Sequence, residues 1–309
     1  MTEEKKIFDL LERDGVNCSV DSRGAVTVNL STVPKYKNID ELCTLVRKIE
    51  QTSVLSLSDY NHNFSSKGLK ALAGLPNLRQ ISLPNSVALR GSDYRVLTSF
   101  PKLQTLYASP INEADEAMSY IGQLEELTTL GISGQFVSDT GLAALKNLHQ
   151  LYDLRFVRST ASKSFHVLSE MKELTHLSIR ETGADDSALE IIGHLPEINE
   201  LDVAYTLVTN EGFEFLGDLK NLYLLTLSGQ KITEKGVKQI ITGAVVSPLS
   251  HLQGLRYLEI GDIVFNDTDV YLLSQFIDLS GIRFTNCFIS NQNMLMLQSE
   301  LPACEIDYY

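Results

Sequence analysis

The stretch 127-LTTLGISGQFVSDTGLAALKNLHQ-150 decides the fold. Its apolar residues fall at Leu127, Leu130, Ile132, Val137, Leu142, Leu145 and Leu148. The opening alternates with period two, as a short strand does, and the end repeats every three residues, as one face of a helix does. Between them Gly134-Gln135 marks a turn, and Ser138 stands where a helix N-cap is expected.

The same pattern returns along the chain. Further copies start at Leu78, Leu103, Leu151, Leu174, Ile198, Leu222, Leu255 and Leu279, with weaker ones at Ala25, Thr52 and Ala303. Apolar residues recur at offsets of 3, 5, 10, 15, 18 and 21 from the start, as in Leu177, Ile179, Ala184, Leu189, Ile192 and Leu195. N-cap residue types recur eleven positions after the start, at Ser138, Asp185, Thr209, Thr233, Asn266 and Ser290. One strand and one short helix cannot bury their apolar sides alone. Stacked copies can, because each strand pairs with the next and the inward leucines merge into one core.

A period of this length with LxxLxI strands resembles the leucine-rich repeat family over residues 25–309. Copies such as 203-VAYTLVTNEGFEFLGDLKNL-222 are similar to the bacterial T-x-V-T-D-x-G-L type, itself similar to the repeats of F-box and ribonuclease-inhibitor-like proteins. The resemblance implies an α/β solenoid, or horseshoe, with a concave parallel sheet of about twelve strands and short helices on the convex side. It also implies adaptor, scaffold or recognition roles. One departure stands out. Many members carry Asn nine residues into the repeat, bonded to buried carbonyls, but here that place holds Gln135, Thr182, Thr206, Gln230, Ile263 and Cys287.

The organisation predicted is one domain over 1–309. Residues 1–24 supply a capping helix and turn, with Ile7, Leu10 and Leu11 on its apolar face. Repeats fill 25–302, and 303–309 is a terminal strand. One copy is 33 residues long, and its extra residues are assigned to a helix–loop bulge near 242-TGAVVSPLSHLQG-254.

The formal charge of −13, from 39 acidic against 26 basic residues, argues against nucleic-acid binding. No run approaches the ~20 apolar residues of a membrane span. The N-terminus shows no secretory pattern, and Cys18, Cys43, Cys287 and Cys304 form no CxxC pair. Free thiols and a cytoplasmic monomer are the expectation. The histidines have no metal-ligand spacing, and no phosphate-binding GxxxxGK[ST] motif occurs, so no metal or cofactor is assigned.

Function is expected on the residues between the strand leucines, which face off the sheet. Two positions into the repeat these include Asp153, His176, Glu200, Leu224 and Tyr257; four positions in, Tyr107, Arg155, Ser178, Asp202, Thr226 and Glu259. Arg158, Arg180, Glu181, Tyr205 and Asp262 lie beside them. Aromatic and arginine side chains dominate protein–protein binding energy. The contact surface is therefore assigned to Tyr107, Arg155, Arg158, His176, Arg180, Glu181, Glu200, Asp202, Tyr205, Tyr257, Glu259 and Asp262, binding a partner protein. A charge ladder of Arg155–Asp202 and Asp153–His176–Glu200 pairs is the competing reading. Asp153, His176, Glu200 and Ser178 hold the letters of a nucleophile–base set. Residues two apart on a strand are about 7 Å apart, beyond a base's reach, so no catalytic role is assigned. The alternatives carried are an inhibitor covering a basic enzyme, and a ligase substrate-receptor or host-directed effector.

Overall fold

The fold was described from a computed structural model. It covers residues 3–31, 33, 38–57, 64–233 and 236–309, with the backbone alone at 3–5 and 230–239. The chain divides into two compact units, residues 1–151 and 152–309.

In the first unit the strands are β1 (Asn17–Val20), β2 (Val26–Asn29), β3 (Thr52–Ser56), β4 (Gln80–Ser82), β5 (Thr105–Ala108) and β6 (Thr129–Ser133). They pair in chain order, β1 antiparallel to β2 and the rest parallel. In the second unit β7 (Asp153–Val157), β8 (His176–Ser178), β9 (Glu200–Asp202) and β10 (Leu224–Ser228) pair in parallel. A hairpin of β11 (Gln230–Thr233) and β12 (Gly236–Gln239) follows. The parallel run then continues through β13 (Tyr257–Gly261), β14 (Gly281–Thr285) and β15 (Glu305–Tyr308). Among the described residues, five strands of the first unit and seven of the second run parallel within their own unit, one at each predicted repeat start.

The periodicity explains the packing. In the repeat beginning at Leu127, the residues Leu127, Leu130, Val137, Leu142, Leu145 and Leu148 are all fully buried. The strand contributes Leu130 and Ile132 to the interior from one side, and the short helix Asp139–Ala143 closes it from the other. Each such leucine contributes about 1.5–3 kcal/mol on burial. In the second unit Leu154, Leu177, Leu201, Leu225, Leu258 and Ile282 form a continuous inward row on successive strands.

At the ninth position of some repeats a hydroxyl or thiol takes the place of the missing Asn. Thr182 and Thr206 each donate to a carbonyl three residues back, Ile179 O and Val203 O, at 2.7 Å. Ser86 donates to Phe64 O at 2.7 Å, and Cys287 Sγ reaches Ile260 O at 3.4 Å. Buried backbone acceptors are thus satisfied by a shorter donor.

The T-D-x-G pattern proves to be an inter-repeat clamp. Asp186 accepts from Thr209 N–H and Thr209 Oγ1 of the following repeat, both at 2.7 Å. Asp115 does the same for Ser138 and Asp40 for Ser65. Gly212, Gly141 and Gly68 lie against those carboxylates, and a Cβ at any of them would overlap the Asp oxygen. At Asn293 the side chain that replaces the glycine instead donates to Asp267 at 2.8 Å.

Several expectations needed correction. Residues 17–20 form a strand where a turn was assigned. Leu10 is exposed while Ile7 and Leu11 are buried. Ser138, Asp185, Asn266 and Ser290 cap helices as expected. Thr209 does not: its hydroxyl lies against Asp186 and Glu211, and the short helix of its repeat starts one residue later, after Asn210. Thr233 lies in β11. The long repeat's insertion is the β11–β12 hairpin and not residues 242–254. Val246, Leu249 and Leu252 are the buried helical stripe of that repeat, so they cannot be the bulge.

Candidate functional site

Eleven of the twelve assigned contact residues lie in the second unit, and Tyr107 lies on β5 in the first. Parallel pairing sets the second unit's residues in two rows. Asp153, His176, Glu200, Leu224, Tyr257, Gly281 and Glu305 stand in register across the strands, as do Arg155, Ser178, Asp202, Thr226, Glu259, Arg283 and Asp307. Alternation on a strand sends both rows off the open face while the leucines between them point inward.

The ladder differs in detail from the expected one. Arg155 pairs with Asp153 on its own strand at 3.3 Å, not with Asp202. Two residues apart on one strand, they share a face, and the long guanidinium stem folds back more easily than it crosses two strands. His176 Nε2 approaches Glu200 at 3.5 Å, with Nδ1 2.7 Å from Thr175 Oγ1. Ser178 donates to Asp202 at 3.0 Å and so is not directed at His176. Further along, Thr226 donates to Glu259, which with Asp307 flanks Arg283.

Asp202 is half-buried, and that desolvation lifts its carboxyl above the usual range. The Ala204 N–H, Arg180 and the Ser178 hydroxyl oppose the rise without cancelling it. An exposed pair of rings, Tyr223 and Tyr257, stands beside Leu224, with centroids 5.1 Å apart. The Tyr257 ring also covers Gly281, and in the first unit Tyr107 covers Gly131 in the same way, each glycine giving room for the neighbouring strand's ring.

At the strand ends Arg158, Glu181, Tyr205, Asp262 and Asn286 occupy one repeat position, all with φ between 52° and 60°. Left-handed backbone costs a side-chain-bearing residue about 1–2 kcal/mol. Inter-repeat hydrogen bonds hold it, as in Arg158 N–H to Arg180 O at 3.0 Å and Asp262 N–H to Thr285 O at 2.9 Å. The side chains form a rim cluster. Arg158 and Arg180 both approach Glu181, and Arg180 stacks 4.5 Å above the Tyr205 ring. Asp262 accepts from Ser228 and Asn286, both at 2.7 Å.

Two concavities open on this face. One, of about 290 Å³, lies over β8 and β9 between Asp153, Arg155, His176, Glu200 and Asp202. The other, of about 80 Å³, lies over β13 and β14 between Tyr257, Glu259, Arg283, Glu305 and Asp307. Leu224 lines both. Arg283, Glu305, Asp307 and Leu224 were absent from the predicted contact set, although they occupy the same two repeat positions as its members.

No group of three or more His, Cys, Asp or Glu side chains among the described residues could hold a metal ion. No helix among them is long and apolar enough to cross a membrane.

No family model matches the chain, and no curated protein matches it. Solved structures do. An internalin, InlF, from Listeria monocytogenes has a TM-score of 0.60 at 15% identity, over 98% of this chain and 93% of that one. The Arabidopsis receptor kinase HAESA ectodomain, in complex with an IDA peptide hormone, has a TM-score of 0.55 at 14% identity, over 93% of this chain and 49% of that one. TLR13 in complex with a single-stranded RNA has a TM-score of 0.52 at 19% identity, over 85% of this chain and 37% of that one. These likenesses and the repeat geometry define the fold as a leucine-rich repeat solenoid.

Proposed function

We propose that this chain is a non-catalytic recognition module that binds a partner protein on the open sheet face of residues 152–309. The observation that carries the reading is the pair of in-register rows, which hold charged and aromatic side chains where a folded core needs none. Tyr257 and Arg155 remain exposed there, beside two concavities. The HAESA structure, whose ectodomain holds a peptide hormone, supports a peptide or protein as the ligand class. TLR13 was solved with RNA. Here the face carries more carboxylates than arginines, which opposes phosphate. All 309 residues serve this one module, as a cytoplasmic monomer of the bacterial T-x-V-T-D-x-G-L repeat type. The repeating Asp–Ser/Thr–Gly clamp supports that subtype. The acid excess favours a second reading, an inhibitor that covers a basic enzyme.

Affinity purification with the intact chain and with an Arg155→Ala/Glu200→Ala/Tyr257→Ala variant tests this. Specific partners captured by the first should be lost from the second, while the melting temperature stays within a few degrees. Retention of every specific partner by the variant would place recognition elsewhere.

A further inference from the structure

The two concavities share a pattern of carboxylates and arginine, with His176 in the first and Tyr257 in the second. Each brings three carboxylates against a single arginine: Asp153, Glu200 and Asp202 with Arg155 in one, and Glu259, Glu305 and Asp307 with Arg283 in the other. Each arginine is already engaged by a carboxylate, Arg155 by Asp153 and Arg283 by Glu259 and Asp307. Counting carboxylates against arginine, each site carries two more acidic than basic side chains. Leu224 stands between them on β10 and lines both, with the Tyr223 and Tyr257 rings alongside.

Spacing turns this symmetry into a pattern. From the centre over β8 and β9 to the centre over β13 and β14 is three strand spacings, about 14 Å. A peptide laid across the strands in extended form covers that distance in about four residues. Its residues i, i+2 and i+4 point the same way. The i and i+4 side chains then reach the two acidic concavities, and i+2 falls on Leu224.

We propose that the open face of residues 152–309 selects an extended segment of pattern basic–x–apolar–x–basic. The two cationic side chains enter the Asp153/Glu200/Asp202 and Glu259/Glu305/Asp307 concavities, and the apolar one rests on Leu224. The proposal rests on the reading of this face as a recognition surface and specifies its ligand. A cation beside Asp202 offsets the desolvation that raises its carboxyl. The exposed Tyr257 ring adds a cation–π surface at the second concavity. The chain's overall −13 speeds encounter with a basic segment.

The test uses the full chain and three synthetic peptides: GSRSLSRSG, a respaced GSSRRLSSG, and the acidic GSESLSESG. Fluorescence anisotropy at physiological salt should show the first binding at least about tenfold tighter than the other two. The same affinity should fall about tenfold or more in an Asp202→Asn/Glu305→Gln variant. Glu305 is exposed, so Glu305→Gln alone gives a weakening that cannot be ascribed to misfolding. Equal affinity for the respaced peptide, no binding of the first, or an unchanged affinity in both variants would overturn the proposal. Panning a random linear 12-residue phage library on the chain separates the two levels. Enriched sequences without paired basic residues that still lose binding to Tyr257→Ala sink this inference and leave the recognition face standing. Enrichment indifferent to Arg155→Ala and Tyr257→Ala sinks both.

Discussion

Asp202 is the residue where burial and charge conflict most plainly. Its carboxyl is lifted by desolvation, and the hydrogen bonds from Ala204 N–H and Ser178 only partly restore it. A folded-state value above the unfolded one means that the folded chain holds the extra proton between the two. Stability from this group is therefore present at low pH and falls as pH rises through that interval. Asp202→Asn keeps an acceptor for the Ala204 N–H, presents an N–H to which the Ser178 hydroxyl can turn as acceptor, and removes the charge. The variant's melting temperature at about pH 7 should equal or exceed that of the native chain. A fall of several degrees would show the carboxylate to be net stabilising. The thiols make a second residue-scale prediction. Burial raises all four, Cys18 to about 11, and Cys43 and Cys287 are buried. At pH 8 only roughly one Cys18 in a thousand is thiolate. In Ellman's assay the native chain should react slowly at Cys18 and Cys304, and at Cys43 and Cys287 only after denaturation. Rapid modification of Cys43 under native conditions would contradict the buried assignment.

At the scale of elements, the clamp between repeats is the testable device. Asp186→Ala strips Thr209 of two hydrogen bonds and should cost about 1–3 kcal/mol. Gly212→Ala drives a methyl group into Asp186 and should cost a similar ~1–3 kcal/mol. In the double variant the clash is absent, so urea denaturation should give a total well below the sum of the singles. Strict additivity would show that the two residues do not share the contact. Here the limits of the sequence are physical and local. The leucine periodicity made the strands and the helical stripes legible because burial repeats with the backbone's own period. The N-cap column was legible as residue types, yet Thr209 departs from it, because the short helix of its repeat begins one residue later, after Asn210. The β11–β12 hairpin was missed because Val237 and Ile240 imitate the helical stripe, while the true stripe, Val246, Leu249 and Leu252, is displaced by the insertion. The left-handed residues Arg158, Glu181, Tyr205, Asp262 and Asn286 carry no glycine to announce them.

For the whole molecule, register is what converts repetition into a surface. Once the leucines are buried strand by strand, the residues two and four places into each repeat must line up, and the site follows from their chemistry. The rows were legible in sequence; the partners within them were not, because Arg155 chooses Asp153 over Asp202 by side-chain reach, which spacing alone does not encode. Removing core from that register should dismantle the face. Leu201→Ala is expected to cost about 2–5 kcal/mol in chemical denaturation and to weaken partner capture with it. A loss under ~1 kcal/mol would mean that the site has collapsed around the gap. The most direct measurement of the central claim is photo-crosslinking from two exposed tyrosine positions. Benzoylphenylalanine is placed at Tyr257 on the open sheet face in one protein, and at Tyr271 on the helix Asp267–Leu273 in another. A discrete protein adduct from position 257 with none from 271 is the predicted result; an adduct from 271 alone would put recognition on the helical side and contradict the account.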